Sequence, residues 1–434
     1  MLASLKQKLC KTPLWKLAKI AVNDRRKYNF LGKIKSANKD SAILRILVIN
    51  HFFDGEIEAM TRLFQSRPDV SILCVTPEPF FTRGVAWFPE SVHCAKIAYD
   101  APELEPVRQR FRAYCETLRL EISARFSFDC ILTPSDSFYW LREFIVACRE
   151  QGIPTIVADK EGTISPRSFD VEPLRIKQMF PPISDYFFVW SKRQSAFWLK
   201  AGVEHSRIFV VGSMRSDLFA TLSPQMPSTL LCFDFDTDAY INNMDWVALG
   251  WQGERNWNYL RDAIHRVLLG IATDHPELKI IIKCHPQQVV TDFPTAGLLD
   301  QPNVSIVKGV PRGLPAMIAD AHAIIGFQTT ALLEAALARK PVLYVAWGDL
   351  YKLVEPQILP WADSGYGMTW IQSEKQLDEA LRRILNRASG DLPVEVDRSR
   401  LANYFHQADG HVTERLLDCL EEVVGKYKAD ELAV

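Results

Sequence analysis

Residues 279–286 read Lys-Ile-Ile-Ile-Lys-Cys-His-Pro. Three consecutive isoleucines leave no polar face, so a strand over this segment must be covered on both sides. Such runs are the strands of parallel sheets wrapped by helices. The run then stops. A basic residue and a histidine follow, and Pro286 cannot continue a central strand. A second exit of this kind, Ala-Ile-Ile-Gly-Phe-Gln-Thr-Thr at 323–330, comes roughly forty residues later and runs straight into a helix. Two strand ends offering phosphate-binding groups, one α/β unit apart, suggest a nucleotide site.

The same pattern repeats along the chain. Apolar segments at 43–49, 71–75, 129–132, 155–157, 186–190 and 208–211 read as strands. Helical patterns follow the first of these through about residue 65 and recur over 138–150. A Pro- and Ser-containing stretch at 220–228 reads as a linker. A second series then follows, with strands at 229–233, 279–283, 303–307, 322–325 and 341–345. Helices are expected at 256–273, 329–339, 374–387 and 411–426. The expected fold class is therefore α/β. It consists of two doubly wound Rossmann-like domains facing a cleft, with ligands at the carboxyl ends of the strands. The expected boundaries are a basic arm over 1–40, a first domain over 41–222, a second over 228–395 and a helical segment over 396–434.

The charge distribution singles out the arm. The net charge is −1, but residues 1–39 hold eleven Lys or Arg and one acid, Asp24. Leu2, Leu5 and Leu9 share one helical face, as do Leu14, Leu17 and Ala21 after Pro13, with Trp15 beside them. A basic amphipathic segment suits an anionic membrane surface, or else packs on its own domain. The basic excess ends with the arm, which argues against nucleic acid. No apolar run is long enough to cross a membrane, and there is no apolar core of a signal peptide. The nine cysteines form no Cys-x-x-Cys pair and read as buried reduced thiols, so the expected location is cytoplasmic.

Candidate site residues sit at the strand exits. Lys283 and His285 are placed to hold a phosphate, and a histidine there can also protonate it. Position matters more than the dipeptide, since His275-Pro276 repeats it in a helix-to-strand turn. Gly326 would let a ligand approach the backbone. Thr329 and Thr330 stand at a helix start, with N–H groups facing an anion or merely capped. Glu334, one turn on, would reach a ribose hydroxyl or lie on the surface. In the first domain, Asp159-Lys160-Glu161-Gly162 closes one strand and offers a carboxylate base. Gly212 and Ser213 close another. Asp234 and Asp236, after the 229–233 strand, are a nucleophile or stabiliser, or simply a turn of acids. The glycine and glutamate of a calcium-binding loop are absent, so these acids do not read as one. No phosphate-loop Gly-Lys-Ser/Thr, His-Glu-x-x-His or Gly-x-Ser-x-Gly motif occurs.

Taken together, Glu161-Gly162, His285-Pro286 and Thr329-Thr330 resemble the motifs of bacterial GT-B glycosyltransferases that use CMP-activated sugars. The nearest resemblance is to the retaining β-Kdo transferases of capsule, O-antigen and lipopolysaccharide assembly. It covers roughly 43–430. It implies a CMP-Kdo donor, an oligosaccharide or lipid-linked glycan acceptor, and no metal or other cofactor. In that reading Glu161 is the acceptor-side acid/base, and His285 with Thr329 and Thr330 holds the phosphate. Asp234, with Asp236 in reserve, is the nucleophile of a double displacement. Lys160 departs from the family motif, which often has a second acid there. The alternatives are an inverting sialyltransferase, a polyol-phosphate transferase using a CDP-polyol, and a non-catalytic GT-B scaffold.

Overall fold

The fold is given by a computed structural model. It describes residues 31–36, 43–51, 53–63, 66–222, 229–239, 241, 244–285, 288, 297–308, 313–362, 366–386 and 397–432. The amphipathic faces expected over residues 2–21 and the 223–228 part of the expected linker lie outside these residues. The chain divides into two compact units. The first takes its described residues from Met1–Gly162, Asp170–Arg215 and His411–Val434, the second from Thr163–Phe169 and Ser216–Gly410.

Unit 1 is built on seven strands: β1 (Leu31–Ser36), β2 (Leu44–Ile49), β3 (Val70–Val75), β4 (Cys130–Thr133), β5 (Thr155–Ala158), β6 (Tyr186–Val189) and β7 (Ile208–Val210). Their order is β1-β3-β2-β4-β5-β6-β7. Strands β2 to β7 are parallel, and β1 runs antiparallel to β3. That edge strand corrects one expectation: the sheet is not purely parallel, and the 31–36 end of the basic arm pairs with β3.

One face of this sheet packs on helices Glu78–Trp87, Glu105–Ser123 and Tyr139–Arg149 through Leu47, Leu73, Phe80, Phe111, Ile131 and Phe144. Each such fully buried side chain contributes about 1.5–3 kcal/mol of transfer free energy. The last helix, Val412–Leu432, belongs to this unit. Arg67 fastens it by hydrogen bonds to Asp418, at 3.1 Å, and to Glu421. The Tyr427 ring meets Tyr186 edge-on.

Unit 2 has six parallel strands: β8 (Thr229–Phe233), β9 (Lys279–Cys284), β10 (Val304–Lys308), β11 (Ala323–Gly326), β12 (Val342–Val345) and β13 (Met368–Ile371). The order is β10-β9-β8-β11-β12-β13. The chain therefore builds outward from β8 in one direction through β10 and then returns to build in the other. Strand β13 is half exposed and only four residues long, so its hydrophobic pattern is weak in the sequence. Both units are Rossmann-like, and together they make a two-domain fold of the GT-B type.

Candidate functional site

In unit 2 the register sets Phe233 at the end of β8 beside Lys283 of β9 on one side and Gly326 of β11 on the other. Strand order reverses at β8, so this row lies at the switch point where open α/β sheets bind ligands. Helix Thr330–Leu337 starts directly after β11. Thr329 is its N-cap residue, in extended backbone, and its side chain makes no capping hydrogen bond. Thr330 is committed elsewhere: its hydroxyl lies 2.8 Å from that of Thr163. The two threonines of the expected pair thus differ.

At Gly326 a Cβ would lie 3.0 Å from Leu332 Cδ2 and 3.2 Å from Phe233 Cβ. Its missing side chain makes room for the helix and for β8. Glu334 is 1% exposed, which excludes the surface alternative. Its negative charge favours the protonated form of Lys283, while burial, the larger influence, pushes the Lys283 pKa down. The Lys283 ammonium donates to the Cys284 carbonyl at 3.4 Å.

His285 is exposed. Its backbone N–H donates to the Gln288 side-chain oxygen at 3.1 Å, and the Gln288 side-chain N–H₂ donates to Asp234. Lys308 donates to the Gln288 carbonyl at 3.0 Å. Pro286 lies outside the described residues. Asp234 is buried, with His265 Nε2 3.6 Å from its other oxygen. Asp236 is exposed and accepts the backbone N–H of Asp238 at 3.0 Å, as a turn residue does. The structure therefore separates two acids that look equivalent in the sequence. Gln288 and His265 were missed. Neither belongs to a motif, and each is recognisable only by what it faces.

In unit 1 the Glu161 side chain is 73% exposed and lies 3.7 Å from Lys160 Nζ. Asp159 is the more confined carboxylate. It accepts the Glu161 backbone N–H at 3.0 Å and the Trp198 indole N–H at 3.0 Å. Burial, its largest influence, pushes its pKa up to about 7. A carboxyl poised near neutrality can exchange protons in either direction. Gly162 packs flat on Trp190. Gly212 adopts a left-handed φ of 102°, and Ser213 is buried. Among the described residues no group of three or more His, Cys, Asp or Glu is placed to hold a metal ion. No helix among them is long and apolar enough to cross a membrane.

No protein-family model matches the chain, and no curated protein sequence matches it. Solved structures do. A UDP-N-acetylglucosamine 2-epimerase shares 12% identity and a TM-score of 0.51, over 89% of this chain and 97% of its own. A Listeria monocytogenes protein, assigned provisionally to the same enzyme, shares 11% identity and a TM-score of 0.51, over 89% and 98%. At this identity the likeness establishes the fold, a GT-B-like pair of Rossmann-like domains. The expected CMP-Kdo transferase of capsule and lipopolysaccharide assembly is corrected by this comparison. The matching structures are named for an enzyme of a different nucleotide and a different reaction. The physical reason lies in the motifs. Glu-Gly, His-Pro and Thr-Thr at strand exits report where a parallel sheet ends, and so report the fold rather than the base or sugar of the ligand.

Proposed function

We propose that the chain is an enzyme acting on a UDP-sugar, with the nucleotide held by unit 2. One observation carries this reading: the edge at β8, β9 and β11, where an exposed His285 and an uncapped helix start at Thr329 stand at the switch point of the sheet. Free N–H groups at that helix start favour a phosphate by about 0.3–1 kcal/mol per charge. His285 adds a donor, and Lys283 adds positive charge beneath it. Glu334 is the carboxylate for the ribose hydroxyls. The choice of uridine and of epimerisation is supported by the names of the matching structures.

The test has two stages. A nucleotide at 100 times its dissociation constant stabilises a fold by about 2.7 kcal/mol, a visible thermal shift. UDP and UDP-N-acetylglucosamine are expected to raise the midpoint, and CMP is not. Proton NMR of UDP-N-acetylglucosamine incubated with the chain then reads the reaction. A second sugar signal with UDP still attached is the expected product. No shift with UDP sinks the nucleotide assignment, and an unchanged sugar spectrum sinks epimerisation.

A further inference from the structure

In unit 2, strand β8 ends at Phe233, and the next helix starts only at Asn258. The long loop between them is closed at its base. Trp257 donates its backbone N–H to the Thr237 carbonyl and its indole N–H to the Ala239 carbonyl, each at 2.8 Å. Trp257 is buried, and its ring meets Phe327 edge-on. A loop pinned in this way holds its far end out in one shape.

That far end reads Asp-Trp-Val-Ala-Leu-Gly-Trp over 245–251. It is a single turn closed by Gly250, whose φ of 66° is left-handed. The Trp251 N–H donates to the Trp246 carbonyl at 3.2 Å, and the Gly250 N–H to the Val247 carbonyl at 3.0 Å. Leu249 donates to the Asp245 carbonyl at 3.0 Å, and Ala248 to the Asp245 side chain at 3.0 Å. The Trp251 indole donates to the Glu254 carbonyl at 2.9 Å. These donors are satisfied within the loop, yet residues 246–251 carry no charge and Val247 is 89% exposed. Single exposed apolar side chains are ordinary on a surface, but an uncharged run held out on a turn is not.

A backbone whose donors are already paired meets the condition for entering a medium without water. Tryptophans at both ends of the run suit the boundary between lipid headgroups and acyl chains. The Arg255 guanidinium carbon, 5.6 Å from the centre of the Trp246 ring, offers a donor to lipid phosphates. Asp245 and Glu254 outweigh that one cation, so attraction at this tip is apolar and not electrostatic. The electrostatic part is supplied elsewhere in the chain, where residues 1–39 hold eleven Lys or Arg and one acid. That separate feature favours a bilayer over a protein groove.

We infer that the 245–251 turn is a membrane-inserting tip, which seats Val247 among the acyl chains of an anionic bilayer. The tip belongs to the loop that leaves the end of β8, so it tethers that edge of unit 2 to the lipid surface. This role goes beyond the UDP-sugar reading and does not depend on it.

Val247→Glu in the full chain tests this. The position is exposed, so the melting midpoint is expected to stay that of wild type. Co-sedimentation with vesicles of phosphatidylcholine and phosphatidylglycerol is read at about 0.15 M and about 1 M salt, the higher of which screens the basic arm. Wild type is expected to sediment with the vesicles at both, and Val247→Glu to partition about tenfold more weakly at both. Val247→Leu is expected to partition at least as well as wild type. A Val247→Glu chain that partitions like wild type overturns the inference. Complete release of wild type at the higher salt also overturns it, because the basic arm would then be the whole attachment. So does a loss in Val247→Glu confined to the lower salt, which is repulsion of the new carboxylate by anionic lipid. If light scattering instead shows a wild-type dimer that Val247→Glu dissociates, with vesicle binding unchanged, the tip meets a second copy of the chain and not a bilayer.

Discussion

Gln288 donates a side-chain N–H to Asp234 and, through its side-chain oxygen, accepts the backbone N–H of His285. Asp234 thereby fixes the loop that carries His285, although 54 residues separate it from Gln288. We propose that an acid held in this way acts by positioning. Asp234→Asn keeps an acceptor for Gln288 and is expected to leave UDP affinity within about threefold of wild type. Asp234→Ala strands a buried amide, which costs about 1–3 kcal/mol, and is expected to weaken UDP binding roughly tenfold or more. Titration calorimetry beside initial rates separates the roles. Full UDP affinity with turnover abolished in Asp234→Asn would instead give Asp234 a direct part in the chemistry.

The threonine pair at the start of helix Thr330–Leu337 divides the same way. The Thr330 hydroxyl is engaged by Thr163, and the Thr329 side chain makes no capping hydrogen bond. Thr329→Val is expected to reduce UDP affinity about fivefold to tenfold at unchanged stability. Thr330→Val is expected to lower stability by about 1 kcal/mol and leave UDP affinity nearly intact. Urea unfolding and calorimetry on the two variants measure this, and the reverse pattern would exchange their roles.

What the sequence disclosed follows from the physics of parallel strands. Ile280, Ile282 and Ala323–Ile325 are buried and Ile281 is half-buried, so these strands announce themselves as apolar runs, and the exits at His285 and Thr329 are sharp. Strand β1 was hidden because basic residues dominate its surroundings, and an edge strand needs only one partner. Segment Thr163–Phe169 reads as a continuation of the first domain yet belongs to unit 2, since unit membership is a matter of long-range packing. Gln288 and His265 carry no motif. Each is defined by partners far away in the chain. The nucleotide was misread for a related reason, because motifs at strand exits are shared by folds that hold different bases.

Asp159 supplies a pH-dependent prediction. Its pKa of about 7 lies above the ordinary carboxylate value of 3.8, with burial as the main cause. A carboxyl raised on folding gives stability that is complete below its unfolded pKa and lost as pH rises through the folded one. Wild type is therefore expected to lose stability between about pH 4 and about pH 7, by an amount on the order of a few kcal/mol. Asp159→Asn, which keeps an acceptor for Trp198, is expected to flatten that slope. Chemical unfolding at a series of pH values checks it, and an equally steep slope in the variant would assign the effect to another group.

Gly162 makes a steric prediction independent of any ligand. Its Cα faces the Trp190 indole so closely that an added Cβ would stand 2.0 Å from Cε3 and 2.3 Å from Cδ2. Trp190 is 3% exposed, and its backbone N–H is held by Gln194, so the ring has little room to retreat. Gln194 also donates to the Glu161 carbonyl at 3.3 Å, tying the loop from its other side. Gly162→Ala must therefore displace either the loop or the ring, and overpacking of this kind costs about 1–3 kcal/mol. A loop forced outward carries Glu161 and Lys160 with it. A lowered urea midpoint with unchanged slope is the expected outcome. Adding Trp190→Phe should recover part of the loss, because the smaller ring lacks Cε3, the nearest of the atoms that Ala would strike. A Gly162→Ala chain as stable as wild type would show that the loop yields freely.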